Sequence, residues 1–164
     1  MVNIMSEVIV GMSELKVSKN PEDVLITNAL DSCIAIAVFD PITSVGGLLH
    51  FMLPDSSLDT DSAKTMPAMF ADTGIALLLK SCYDIGADEK RMIVRVAGGA
   101  GIIHDSNHFR IGQRNTTAVR KIFYRNNVLI DAEDTGGNFT RMMRLELSNG
   151  RCILMSSNGT VKYL

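Results

Sequence analysis

Cys33 heads the apolar run "CIAIAVFD", and His50 sits inside the next one, "VGGLLHFML". A thiol and an imidazole on neighbouring segments are the parts of a nucleophilic hydrolase. A free thiol titrates near about 8.5 and is mostly protonated at neutral pH, whereas a nearby imidazolium favours the reactive thiolate. A third group usually orients the imidazole, and Thr27, six residues before Cys33, is a candidate for it. The alternative for each residue is plain. Free cysteine is among the most buried residue types, and a histidine between Leu49 and Phe51 is as often a satisfied interior group.

The geometry that would join them depends on register. Take the two runs as an antiparallel pair joined by Pro41-Ile42-Thr43-Ser44, with Asp40 facing Val45. Cys33 then faces Met52 and His50 faces Ala35, which makes Cys33 and His50 diagonal neighbours on one face of the sheet. Diagonal pairs lie roughly 7–8 Å apart at the backbone. A slip of one residue sends His50 to the opposite face. The spacing permits a Cys–His dyad without requiring one.

Around this pair the chain reads as strands, helix, strand, helix and strands. "EVIVGMSELKVSK" alternates apolar and polar residues and reads as a strand or hairpin, and "VLITNAL" continues extended. "CIAIAVFD" is continuously apolar, as expected of a strand covered on both faces. Residues 55–64 are polar and read as a surface loop. A helix is expected from about Pro67 to Gly86, with Ile75, Leu78, Leu79 and Cys82 on its apolar stripe. "RMIVRVAG" reads as a strand ending in the Gly-rich "AGGAG", "QRNTTAVRKIFYRNN" as a second helix and "VLIDAED" as a strand. "RMMRLELSNGRCILM" reads as a hairpin, with Asn149-Gly150 suited to a type I′ turn. The fold class is α/β or α+β: a layered sandwich of mixed β-sheet with two main helices packed on it.

At 164 residues, 46% hydrophobic and 21% charged, one domain over 1–164 is expected. The net charge of −2 lacks the basic footprint of a nucleic-acid binder. Three widely spaced cysteines without a CxxC pattern argue against a disulfide framework or zinc knuckle and suit a reducing cytoplasm. Cys82 and Cys152 read as core residues. The N-terminus lacks a secretory pattern, and no apolar run approaches the roughly 18–20 residues of a membrane span. A cytoplasmic protein without membrane insertion is expected. "AGGAG" lacks the Lys-Ser/Thr of a phosphate loop and reads as a tight turn. His104 and His108 flank Asp105 at a spacing that could hold a metal on a helix, but Asp, Ser and Asn favour a loop there, so both read as surface residues. No metal site is expected.

Several short motifs in one order carry a resemblance. Thr27 precedes Ser32-Cys33, then come Asp40-Pro41, Gly46-Gly47 with His50, "HFMLPDS", "FADTGIALL", "VAGGA", "IGQRN" and "AEDTGGN". The chain resembles the CheD family of chemoreceptor glutamine deamidases over nearly its whole length. The resemblance implies a cysteine hydrolase of cytotoxic-necrotizing-factor-like architecture, with Cys33 as nucleophile, His50 as general base and acid, and Thr27 supporting the histidine. It implies no cofactor. The implied substrates are glutamine side chains on the helical cytoplasmic domain of methyl-accepting chemotaxis receptors, with glutamyl methyl esters hydrolysed by some members. The CheC phosphatase is a further implied partner. Ser32, Thr135 and Asn138 are expected to shape a substrate groove, and Arg110, Arg114 and Arg141 are available to acidic receptor helices. One departure is Asp31 (with Ala29), where the family commonly has Gly. A carboxylate beside Cys33 raises the thiol pKa and favours the alternative reading, a non-catalytic adaptor that binds CheC or receptors.

Overall fold

The computed structural model describes residues 4–102 and 110–164. His104, Asp105 and His108 lie outside the described residues. Among those described, ten strands form two five-stranded sheets. The first takes β1 (Ser6–Val10), β3 (Asp23–Thr27), β8 (Arg141–Glu146), β9 (Cys152–Ser156) and β10 (Val161–Tyr163), in that order. The second takes β2 (Glu14–Ser18), β5 (Gly46–Phe51), β4 (Ile34–Phe39), β6 (Ile93–Gly98) and β7 (Ala132–Thr135). Both are mixed: β1 runs parallel to β3 and β6 to β7, the other neighbours being antiparallel.

The two sheets face each other, and helices α2 (Ala71–Asp84) and α3 (Ile111–Arg125) cover the far side of the second. Side chains alternate along β4 as a pleat demands. Ile34, Ile36 and Val38 pack with Ile75, Leu78 and Cys82 of α2 and Val119 and Phe123 of α3. Ala35, Ala37 and Phe39 point the other way, among Leu25, Met143, Leu145, Cys152 and Leu154 of the first sheet. Covered on both faces, β4 has no use for polar residues, which explains its unbroken apolar sequence. Cys82 and Cys152 are fully buried in these two layers, as expected. No helix among the described residues is long and apolar enough to cross a membrane.

Several local expectations change. β1 and β2 do not pair as a hairpin, since each joins a different sheet. The polar segment 55–64 contains a 3-10 turn (Ser56–Leu58) and the start of the short helix α1 (Thr60–Thr65), whose N-cap Asp59 accepts from Ser62 N–H at 3.0 Å. Pro67 opens a separate 3-10 turn, and α2 begins only at Ala71. The strand expected in "VLIDAED" is confined to Ala132–Thr135. The hairpin of β8 and β9 is joined by residues 147–151, and of Asn149 and Gly150 only Gly150 takes positive φ (73°). A type I′ turn needs both residues there, so the turn is of a longer kind.

The β4–β5 pairing is the one the spacing implies. Ala35 faces His50, Ile34 faces Phe51, and Asp40 N–H donates to the Val45 carbonyl at 2.8 Å. The fully buried Asp40 carboxylate holds the loop, accepting from Ile42 N–H (2.9 Å), Asp88 N–H (2.9 Å) and the Arg91 Nε and Nη2 (3.0 and 2.7 Å). The Arg91 guanidinium, helped by the main-chain donors and opposed by burial, keeps this carboxyl well below the usual carboxylate range. Asp40→Ala should therefore cost roughly 1–3 kcal/mol at neutral pH, because it removes the acceptor shared by two main-chain N–H groups and the Arg91 guanidinium. The native carboxyl titrates below its unfolded value of about 3.9, so its contribution is complete above that pH and fades as pH falls further. Urea unfolding of both proteins should show their stability gap narrowing below about pH 4. A gap that stays constant under acid would remove the charge from the explanation.

Candidate active site

The segment that carries Cys33 is strung between both sheets and α3. Leu30 pairs with Arg141 of β8 through both main-chain bonds (2.7 and 3.1 Å). The Asp31 and Cys33 carbonyls accept from Ala100 and Gly99 N–H at 2.8 and 2.9 Å. The Ser32 carbonyl accepts from Asn115 Nδ2 of α3 at 2.9 Å. This is the work of the Gly-rich run after β6. Gly98 has φ of 115°, and a Cβ there would stand 2.3 Å from the Cys33 carbonyl oxygen. Only glycine lets the turn close over the peptide that carries the sulfur.

The inter-sheet layer receives all three predicted residues. Cys33 packs against its apolar cluster and is half-buried. His50 is buried (1% exposed) and alternates with Leu49 and Phe51, which face the helices, so its ring lies on the Cys33 side. Thr27, equally buried, ends β3 on the face that carries Leu25, and β3 lies against β5 across the layer.

Contact between them is incomplete. Neither ring nitrogen of His50 has a hydrogen-bond partner, so neither Cys33 nor Thr27 is bonded to it. The Thr27 hydroxyl instead accepts from Met143 N–H at 3.0 Å. The Val10 carbonyl, beside Thr27 in the β1–β3 pairing, lies toward the ring and favours its protonation without reaching hydrogen-bond geometry. A buried imidazole kept for packing normally finds a partner, because an unmet buried polar group costs about 1–3 kcal/mol.

Burial sets the charge state. It pushes the His50 imidazole below its ordinary value, against the opposing pull of the Val10 carbonyl and the Glu14 carboxylate. Burial, and next the Asp31 carboxylate, push the Cys33 thiol up to about 11, against the pull of its own N–H. The sequence led to an imidazolium that keeps the sulfur anionic. The resting pair is instead a neutral thiol and a neutral ring, because both sit where charge is poorly solvated.

Of the remaining predicted residues, Ser32 is half-buried beside Cys33. Thr135 helps line a cavity of about 480 Å³ with Gly99, Arg110, Gln113 and Arg120. Its hydroxyl donates to Glu133 at 2.9 Å. Neither Cys33 nor His50 lines that cavity. Asn138 is exposed on the following turn. Arg114 sits on α3 near Arg110 and Lys121 around a second hollow. Arg141 is not available to a partner: it is 2% exposed, with Nε and Nη2 on Asp134 at 2.9 and 2.8 Å, Nη1 on the Gly136 carbonyl at 2.8 Å, and its guanidinium 4.3 Å from the Phe139 ring. Sequence reasoning missed Asn115, fully buried and bonded to the Ser32 and Met52 carbonyls at 2.9 Å each. Its position in the helix beside Val119 and Phe123 was the available signal. Among the described residues no group of three or more His, Cys, Asp or Glu could hold a metal ion.

The family described as CheD chemotactic sensory transduction matches residues 52–156. A protein of Syntrophus aciditrophicus (strain SB), named probable chemoreceptor glutamine deamidase CheD 1, is 58% identical over 160 residues, covering 98% of this chain and all of that one. The chain belongs to the CheD family. The chemoreceptor glutamine deamidase CheD of Thermotoga maritima is 36% identical over 151 residues, 92% of each chain. A solved structure, the Bacillus licheniformis hypothetical protein YfiH, is similar at a TM-score of 0.41 and 12% identity, over 74% of this chain and 49% of that one. The segment matched by the CheD family starts at Met52, just past His50, whereas the Syntrophus relative is aligned across nearly the whole chain, Thr27, Cys33 and His50 included.

In this CheD-family chain, alkylation of Cys33 by iodoacetamide, followed on its own peptide, should climb steadily through about pH 8–10 with no plateau near neutrality. Asp31→Asn removes a repelling charge and should raise the rate about three- to tenfold at a fixed pH below the thiol's pKa. A neutral-pH plateau in the unmodified protein would show a standing thiolate and contradict the burial argument.

Proposed function

We propose that this chain is a chemoreceptor glutamine deamidase, hydrolysing glutamine side chains to glutamate on the receptors' cytoplasmic helices through Cys33, His50 and Thr27. The observation that carries the reading is the β4–β5 register, which puts an unpartnered imidazole on the face of the sheet that holds the thiol. The names of the relatives supply the substrate class.

The chemistry follows from neutral partners. The Thr27 oxygen has a lone pair beyond the one taken by Met143 N–H, and with the Val10 carbonyl it can accept from one ring N–H, leaving the other nitrogen bare. That nitrogen takes the Cys33 proton as the sulfur attacks the glutamine carboxamide carbon. The electron pair of the carbonyl moves onto oxygen, where a main-chain N–H beside the sulfur, such as that of Cys33, would stabilise it. The protonated ring returns its proton to the departing nitrogen, ammonia leaves, and a γ-glutamyl thioester remains. Water, deprotonated by His50, then cleaves the thioester to carboxylate and free thiol. No step requires a cofactor. A glutamyl methyl ester would enter the same sequence with methanol as leaving group.

Residues 1–164 are proposed to work as one CheD-like domain in the cytoplasm, where receptor helices are accessible, with CheC as a second partner. Asp31 favours one rival reading, a binding protein without catalysis, because its charge raises the thiol pKa. Incubation with receptor cytoplasmic fragments, read by mass spectrometry as amide-to-acid conversion, separates the two. The unmodified protein should convert specific glutamines, Cys33→Ala none, and His50→Ala should be slower by about 10²–10⁴-fold. Equal conversion by the unmodified protein and Cys33→Ala would end the enzyme reading, and binding without conversion would select the adaptor.

A further inference from the structure

We propose that Asn115 is a positioning residue: it aims the Cys33 N–H at the developing oxyanion and ties the nucleophile segment to the end of the strand that bears His50. The proposal rests on the deamidase reading above.

Asn115 lies on the inward side of α3 with no exposed surface. Its Nδ2 donates to two carbonyls, Ser32 and Met52, at 2.9 Å each. Those residues lie just past the last ladder pair, Ile34 and Phe51, where the sheet no longer holds β4 and β5 together. One amide nitrogen therefore takes over where the ladder stops. The orientation of the amide is set by chemistry, since the flipped amide would present its oxygen to two carbonyl oxygens.

The Ser32 carbonyl and the Cys33 N–H belong to one planar trans peptide, in which they point in opposite directions. Anchoring the carbonyl on α3 directs the N–H away from α3. That N–H does act on the Cys33 sulfur, whose pKa it lowers. The neutral two-donor group is the feature that matters. Aspartate has the same shape and no donor when ionised, serine offers one donor, and leucine fills the volume with none. Asn115 Oδ1 is buried without a partner. A side chain retained for packing alone would not strand an acceptor there, whereas one retained for its two donors must carry the oxygen along.

A misaimed oxyanion donor weakens the transition state and leaves the ground state alone, so the loss should fall on kcat. In the 164-residue chain acting on receptor cytoplasmic fragments, Asn115→Asp and Asn115→Leu should lower kcat about ten- to hundredfold, with KM unchanged within about twofold. Asn115→Asp should recover relative to Asn115→Leu as pH falls, because the protonated carboxyl regains one donor. Asn115→Ser, with a single donor, should lie between the unmodified protein and Asn115→Leu, and only variants with cooperative thermal unfolding are compared. Wild-type kcat in Asn115→Leu, or a loss confined to KM, overturns the proposal. So does a constant ratio of the Asp and Leu variants across pH. If the unmodified protein converts no glutamine, the deamidase reading fails by itself, and the clamp is still read without substrate. Alkylation of Cys33 should be slower in Asn115→Leu at every pH below the thiol's pKa, and an unchanged profile refutes the clamp.

Discussion

The register of β4 against β5 governs the molecule. Asp40 closes the loop with its N–H on the Val45 carbonyl, and its carboxylate collects two further main-chain donors and Arg91. Packing enforces the same choice. A Cβ on Gly46 would meet Leu147 Cδ2 at 2.3 Å, toward the first sheet, and one on Gly47 would meet Leu78 Cδ1 at 2.7 Å, toward α2. A one-residue slip would drive Leu48 into one of these tight places and turn His50 toward the helices. Because β4 and β5 are buried on both faces, neither face can absorb the error in solvent. The place of His50 opposite Ala35 follows from that register.

The same layering determines what the site is at rest. Placing thiol and imidazole between two sheets strips water from the ring and partly from the thiol, which pushes both toward their uncharged forms. The support lies mostly in the main chain: Gly99 and Ala100 hold the carbonyls of Cys33 and Asp31, and Arg141 pairs with Leu30 while its side chain braces Asp134 and Gly136 from below. The Gly-rich turn after β6, β8 and α3 converge on four consecutive residues, 30–33. That concentration of bonds at the mouth of a strand is what precise placement of one sulfur would need.

The β4–β5 pair was legible in the sequence because the evidence for it is local: two apolar runs, a short loop opened by Asp40-Pro41, and a period of two. The membership of β1 and β2 in different sheets was not legible, since alternation says which residues share a face and nothing about which sheet receives them. Arg141 misled because its residue type predicts exposure, and only the fold reveals Asp134, Gly136 and the Phe139 ring waiting for it. Asn115 lay in "QRNTT" on the helical stripe of Val119 and Phe123, which hinted at burial but could not say which carbonyls its amide would meet. The charge states failed for a related reason. Proximity of Cys33 and His50 can be counted along the chain, but desolvation is a property of the assembled layers. The assignment of chemistry to Cys33 came from the CheD resemblance, as spacing alone left it between nucleophile and filler.

A neutral resting pair is compatible with catalysis, and it changes where the work is done. Forming a thiolate and an imidazolium between two sheets before substrate arrives would place two charges in a poorly polar layer, a costly state unless both are fully hydrogen-bonded. If proton transfer accompanies attack, the sulfur never holds the full negative charge. It passes to the substrate oxygen, which a main-chain N–H such as that of Cys33 can meet, while the imidazolium persists only until the departing amide nitrogen takes its proton and leaves as ammonia. Burial then lowers His50 into the form that can accept a proton at neutral pH, and it keeps Cys33 unreactive toward adventitious electrophiles. Asp31 strengthens that second effect. Its carboxylate opposes a standing thiolate, but it opposes a concerted attack less, because the charge moves away from the sulfur as the new bond forms.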